Sequence, residues 1–169
     1  MLNSATFHVT TPTDREILVT RDFNAPIALV WDAMTKPELL NRWLFGPPGW
    51  AMTVCDDDAR SGGKFRWAWR GPNAEDMAMH GVYREVIPPT HNSPTARLVR
   101  TESFEFGCTA QSGEQLVTLT LTERAGITSL RLTILSPSRE ARDATIASGM
   151  EYGIAAGYDR LEEILPTLA

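Results

Sequence analysis

Apolar residues recur along this chain in two rhythms, and the switches between them mark out its elements. From Arg15 to Phe23 the run alternates, with Ile17, Val19 and Phe23 on one parity and Arg21 between them, the period of two of a half-buried strand. Asn24 then offers a cap, and Pro26 suits a first helical turn because its φ is fixed and it has no N–H to satisfy. Ile27, Val30, Trp31 and Met34 follow at spacings of three and four, predicting a short helix with one apolar stripe. Lys36-Pro37 breaks it, since the residue before a proline avoids the α region. A second short helix restarts at Pro37 with Leu39, Leu40 and Trp43 as its apolar edge, and the "GPPG" at 46–49 ends it.

Beyond this point the period of two dominates. Trp50, Met52 and Val54 alternate, "DDDARSGG" turns, and "KFRWAWR" sets Phe65, Trp67 and Trp69 against Lys64, Arg66, Ala68 and Arg70. "GPNAED" turns into a strand over "MAMHGVYREVI", and a proline-rich connection leads to "RLVRTESFEF", where Val99 and Thr101 are predicted inward because Arg100 and Glu102 share the other face. After a turn at "CTAQSGE", "QLVTLTLTE" and "TSLRLTIL" form a hairpin through "RAG", with Val117, Leu119, Leu121 and Leu130, Leu132, Ile134 inward. "SPS" then starts a helix that no proline interrupts from Arg139 to about Leu165, with Ile146, Met150, Ile154, Gly157, Leu161 and Leu165 as a continuous stripe. Such a helix spans roughly 40 Å. The order is strand, two short helices, about six antiparallel strands and one long helix, an α+β architecture in which the helix buries its stripe on the sheet. Residues 1–13, polar and Thr-rich, read as a tail, and 14–169 as one domain.

Composition narrows the function classes. With 169 residues, 43 % of them hydrophobic and 22 % charged, the chain has ordinary globular make-up. A net charge of −5 and a pI near 5.2, with Arg and Lys scattered singly, leave no basic field for nucleic acid. No apolar stretch approaches the length of a membrane span, and the N-terminal residues lack the pattern of a signal peptide. A cytoplasmic setting follows by default. Two cysteines, Cys55 and Cys108, make neither a disulfide framework nor a four-ligand zinc site.

Two features are unusual for a plain core. One is the aromatic load on 64–70, with Trp43 and Trp50 near it in sequence; the other is glycine at 149, 153 and 157, one every fourth residue of a helix. Each such glycine costs a helix interior about 1 kcal/mol relative to alanine. Close helix–sheet contact is one account; room for a ligand walled by Trp and Met is the other. Catalytic chemistry is thinly supplied. Asp56, Asp57 and Asp58 are consecutive, so their side chains diverge, and Asp58 with Arg60 reads as a turn ion pair rather than a metal site; no metal or cofactor is expected. His8, His80 and His91 are dispersed, and no nucleophile is paired with an oriented base. Tyr83 and Glu85 share parity with Gly81, so they and His80 are the candidates for proton transfer if the chain is an enzyme.

Four stretches carry a resemblance: "TRDFNAPIALVWDAMTKPELLNRWLFGP", "DARSGGKFRWAW", "GVYREVIPPTHNSPTARLVRTESF" and "GMEYGIAAGYDRLEEIL". In this order, and over most of residues 15 to 165, the sequence is similar to the START or SRPBCC (Bet v-like) superfamily and, within it, to the activator of heat-shock-protein-90 ATPase homologue (AHSA-type) family. The resemblance implies a helix-grip fold, a curved antiparallel sheet wrapped around the long C-terminal helix, with a cavity that in relatives accepts hydrophobic molecules. Arg100 and Glu102 depart from the large apolar groups that relatives often place there, and the connection "PPTHNSPTA" is longer than usual. With that cavity, Trp43, Phe65, Trp67, Trp69, Met79, Gly81, Tyr83, Met150, Ile154 and Tyr158 form the candidate ligand-facing set. The leading expectation is binding of a small hydrophobic ligand without catalysis. A chaperone ATPase-activator-like interaction and a cyclase- or hydratase-type enzyme are the alternatives. An exposed edge strand would permit a homodimer.

Overall fold

The structure is a computed structural model that describes residues 4–106 and 113–169. Its elements are β1 (His8–Thr10), β2 (Glu16–Phe23), α1 (Ile27–Thr35), α2 (Pro37–Leu40), β3 (Ala51–Asp57), β4 (Lys64–Arg70), β5 (Asp76–Ile87), β6 (Thr95–Phe106), β7 (Gln115–Arg124), β8 (Ile127–Leu135), α3 (Arg139–Ala147) and α4 (Met150–Ile164). The strands form one curved antiparallel sheet in the order β1-β2-β8-β7-β6-β5-β4-β3. The chain leaves β2 near one edge, crosses through α1 and α2 to start β3 at the other, and meanders back until β8 pairs with β2. Helix α4 lies against the concave face. The helix-grip architecture expected from the sequence is the one observed.

Local rules account for most boundaries. Strand β2 alternates without a fault, and its four inward positions, Ile17, Val19, Arg21 and Phe23, are all buried. The β7–β8 hairpin closes through two residues, Ala125 and Gly126, both at positive φ (52° and 75°), the backbone that a two-residue hairpin turn needs to match strand twist. Ser138 caps α3, its hydroxyl accepting the Ala141 N–H at 3.0 Å.

Several details differ from the sequence reading. The segment read as a tail contributes β1, whose Val9 sits opposite Val19. Asn24 does not cap α1; its first turn begins at Pro26 without a side-chain cap, and the Ile27 N–H is met at 2.8 Å by the Glu123 carboxylate from β7. Helix α2 is only four residues long, and Trp43 follows it in a turn. The last helix is not continuous: it breaks between α3 and α4 at Gly149, whose φ of +82° is left-handed, a conformation that costs other residues roughly 1–2 kcal/mol. The break turns Ile146 out to solvent, so the apolar stripe begins only at Met150. The turn read at 108–114 lies largely outside the described residues, as does Cys108; Cys55 is a free thiol.

The C-terminal half of α4 is fastened to β2 by charge. Arg21, with 1 % of its surface exposed, sends Nη1 to Asp159 and Nη2 to Glu162, each at 2.7 Å. Its guanidinium also stands 5.5 Å from the Phe23 ring centroid. Aromatic packing continues the seam, with Tyr158 edge-on to Phe23 at 5.7 Å. Among the described residues the N-terminal half of α4 has no such fastening, and there a cavity separates sheet and helix.

Candidate ligand cavity

Between the concave face and the N-terminal half of α4 lies a cavity of about 320 Å³. Trp67 and Trp69 of β4 and Met77 and Met79 of β5 form one wall. Leu119, Leu132 and Ile134 of β7 and β8 form the floor, and Met150, Gly153, Ile154, Gly157 and Tyr158 of α4 form the roof. Met34, Leu40 and Trp43 close the buried end, whereas Pro47, Trp50 and Met150, all half-buried, stand at the rim. The rim loop is tied to α4: Arg160 Nη1 donates to the Gly46 carbonyl at 2.5 Å, and its guanidinium lies 3.8 Å from the Phe45 ring centroid, close enough for a cation–π contact.

Three of the tryptophans that line the cavity present carbon to it because their N–H groups are committed elsewhere. Trp43 donates to the Ala33 carbonyl at 2.9 Å, Trp69 to the Leu44 carbonyl at 2.7 Å, and Trp67 to Asp57 at 3.0 Å. The helix glycines divide between the two accounts given above. A Cβ on Gly157 would touch the Trp43 ring at 3.6 Å, so this glycine serves close packing. A Cβ on Gly153 would find only Pro47 Cδ, at 3.9 Å, so there the absent side chain leaves cavity space.

Seven of the ten candidate residues line the cavity: Trp43, Trp67, Trp69, Met79, Met150, Ile154 and Tyr158. Phe65, Gly81 and Tyr83 share the inward parity but lie beyond its end. Phe65 is packed against Trp67 and Tyr83, with ring centroids at 4.4 and 5.5 Å. Gly81 lies close against β6, where a Cβ would fall 1.8 Å from the Thr101 carbonyl oxygen. Tyr83 turns its hydroxyl to Asp57, donating at 2.8 Å. Burial raises the Asp57 pKa, and the bonds from Tyr83 and Trp67 and the charge of Arg100 offset only part of that rise. Burial also pushes the Tyr83 phenol well above its ordinary value. Of the other groups named for proton transfer, His80 is exposed and Glu85 pairs with Arg97 at 3.3 Å on the outer surface. Asp58 and Arg60 form the turn ion pair read from the sequence, at 2.8 Å. Among the described residues no group of three His, Cys, Asp or Glu side chains is placed to hold a metal ion.

The largest departure concerns β6. Arg100, Glu102 and Phe104 face the cavity, and Val99 and Thr101 occupy the other face, the reverse of the prediction. Arg100 Nε donates to Glu102 at 2.8 Å, and Gln115 Nε2 donates to the second Glu102 oxygen at 3.0 Å. The guanidinium lies 5.1 Å from the Trp67 ring centroid and 5.7 Å from that of Phe65. Burial works against the Arg100 charge, but Glu102, Tyr83 and Asp57 outweigh it and hold its pKa above the ordinary value. Among the described residues that line the cavity, Arg100 and Glu102 are the only charged ones. In the sequence they carry the mark of an exposed pair; the signal against that reading is that both break an otherwise apolar parity in a central strand.

Comparisons with known proteins agree with this architecture. The model of the family described as Activator of Hsp90 ATPase homolog 1-like protein matches residues 24–166. A crystal structure of a Rhodobacter sphaeroides protein is similar at 31 % identity and a TM-score of 0.84, over 96 % of this chain and 99 % of that one. A Staphylococcus epidermidis protein, solved in solution, aligns over 95 % of this chain and 94 % of its own at 26 % identity and a TM-score of 0.72. A Mycobacterium smegmatis protein shares the fold at 22 % identity, with a TM-score of 0.75 over 96 % and 98 % of the two chains. No curated protein matches the sequence.

Proposed function

The chain belongs to the Activator of Hsp90 ATPase homolog 1-like family, and from that premise we propose that it is a binding protein for a small hydrophobic molecule held between the sheet and α4, acting without catalysis of its own. One observation carries the reading: about 320 Å³ stays unfilled beneath the N-terminal half of α4, walled by indole, thioether and aliphatic groups. Interiors otherwise pack to crystal density, and a concave, mainly apolar space with few polar groups is the usual make-up of a ligand site. Its volume lies at the small end of such sites, which suits a compact molecule of one to three rings. The groups named for proton transfer support binding rather than chemistry, because His80 and Glu85 face outward and the Tyr83 hydroxyl is bonded to Asp57.

The test is thermal unfolding across a panel of compact hydrophobic compounds. A ligand present at a hundred times its Kd stabilises the folded state by about 2.7 kcal/mol, which for a chain of this size raises Tm by roughly 5–11 °C. Saturable stabilisation by at least one compound, clearly reduced in Gly153→Leu at the same concentration, is the expected result. A panel that moves Tm equally in wild type and in Gly153→Leu would place binding elsewhere and end the proposal.

A further inference from the structure

We propose that the ligand is neutral and carries a hydrogen-bond-accepting oxygen, a ketone or a related conjugated carbonyl, set against the Arg100 guanidinium. This rests on the reading of the cavity as a ligand site. Among the described residues Arg100 bonds only through Nε, to Glu102, and neither Nη atom has a hydrogen bond. Its side chain nevertheless sits among the cavity residues with 12 % of its surface accessible, and neither Nη is among the buried polar atoms sealed off from contact. Arg100 thus brings unused donors to the lining of the cavity. The Phe65 and Trp67 rings lie 5.7 and 5.1 Å from the guanidinium, and Glu102 is itself held by Gln115, so the cation has its partners in place before anything arrives. On the facing helix the buried Tyr158 also lines the cavity, and its hydroxyl makes no hydrogen bond with the described residues. Donors in an apolar space lose their hydration unless an acceptor replaces it.

Charge decides which acceptor. The Arg100 cation already faces the Glu102 carboxylate at 2.8 Å, and Asp57 lies within its field. A carboxylate ligand would bring a further negative charge to a single, already matched cation inside a low-dielectric space. A carbonyl oxygen accepts the same N–H groups and adds no net charge. The rest of the molecule meets mostly carbon, since the indole N–H groups of Trp43, Trp67 and Trp69 are bonded away from it and the Thr145 and Ser148 hydroxyls are bonded to helix carbonyls.

Three probes on one ring separate these terms: acetylnaphthalene, isopropylnaphthalene and naphthoate, substituted at the same carbon, titrated by calorimetry near neutral pH. The ketone should bind about tenfold or more tighter than the hydrocarbon, the range of a hydrogen bond to a charged donor, and naphthoate should be weakest. In Arg100→Met/Glu102→Met, which removes the pair without leaving a lone charge, the ketone's advantage over the hydrocarbon should shrink to the several-fold that Tyr158 supplies. Tyr158→Phe should weaken the ketone several-fold and leave the hydrocarbon unchanged; it keeps the test decisive if the double variant does not fold. Equal binding of ketone and hydrocarbon to the wild type, or tightest binding of naphthoate, overturns the inference while the cavity reading stands. If none of the three binds, cavity reading and inference fall together.

Discussion

Gly153 and Gly149 stand one helical turn apart, yet the same substitution should move stability in opposite directions. Gly153 is inside α4 and has no positive φ, and a Cβ added there meets nothing nearer than Pro47 Cδ at 3.9 Å. Replacing it by alanine removes the backbone freedom of the unfolded chain at no steric cost, worth about 1 kcal/mol of added stability. Gly149 has φ +82°, where an L side chain crowds its own carbonyl, so Gly149→Ala should cost roughly 1–2 kcal/mol. The predicted gap between the two variants is therefore about 2–3 kcal/mol. Urea unfolding measures it directly, as a shift of midpoint at unchanged slope. Gly153→Leu extends the logic, because its side chain would enter the cavity; the protein should stay at least as stable as the wild type while affinity for the naphthalene probes falls about tenfold or more, the cost of displacing apolar contact. A destabilised Gly153→Ala would show that the helix lacks the space assigned to it, and a stabilised Gly149→Ala would refute the left-handed break.

Two further outcomes test the charged groups. Arg21→Met withdraws the cation that faces Glu162, whose side chain is only 7 % exposed, and should destabilise by about 3–5 kcal/mol, with much of the loss recovered in Arg21→Met/Glu162→Met; a loss below about 1 kcal/mol in urea unfolding would mean the pair is not shielded as described. Asp57 has a folded pKa raised chiefly by burial, so its contribution is fully present below its unfolded pKa and is lost as pH rises through the folded one. The stability of Asp57→Asn relative to wild type should accordingly improve as pH rises above the ordinary carboxylate pKa of about 4, and a decline in paired urea titrations would reverse the assignment.

The parts of the fold that were legible in the sequence are those set by local pattern. Strand β4 matches its alternating run over all seven residues, and α1 places Ile27, Val30, Trp31 and Met34 in the core as their spacing requires. What was not legible depends on partners distant in sequence. Nothing near Arg100 in the chain announces that Gln115, Phe65 and Trp67 would surround it and Glu102, so polarity alone set the charged pair on the face opposite the inward one. Arg21 shows the same effect, since its acidic partners stand 138 and 141 residues away. The break at Gly149 was legible in part: Ser148-Gly149 is a plausible helix stop, but the glycine period of four drew attention to a ridge instead. Phe65, Gly81 and Tyr83 have the inward parity expected; how far along the strands the cavity extends is set by where α4 departs from the sheet, which periodicity does not encode.

The tethered indoles restrict how this site can be altered by mutation. Exchanging Trp67 would strip a donor from Asp57, and exchanging Trp43 or Trp69 would orphan the Ala33 or Leu44 carbonyl, so each wall tryptophan is bound to consequences behind the wall. Met34, Met77, Met79 and Met150 carry no such bond, and their flexible thioethers tolerate exchange for other apolar groups. Selectivity can therefore drift, or be engineered, through four methionines while the aromatic frame stays unchanged.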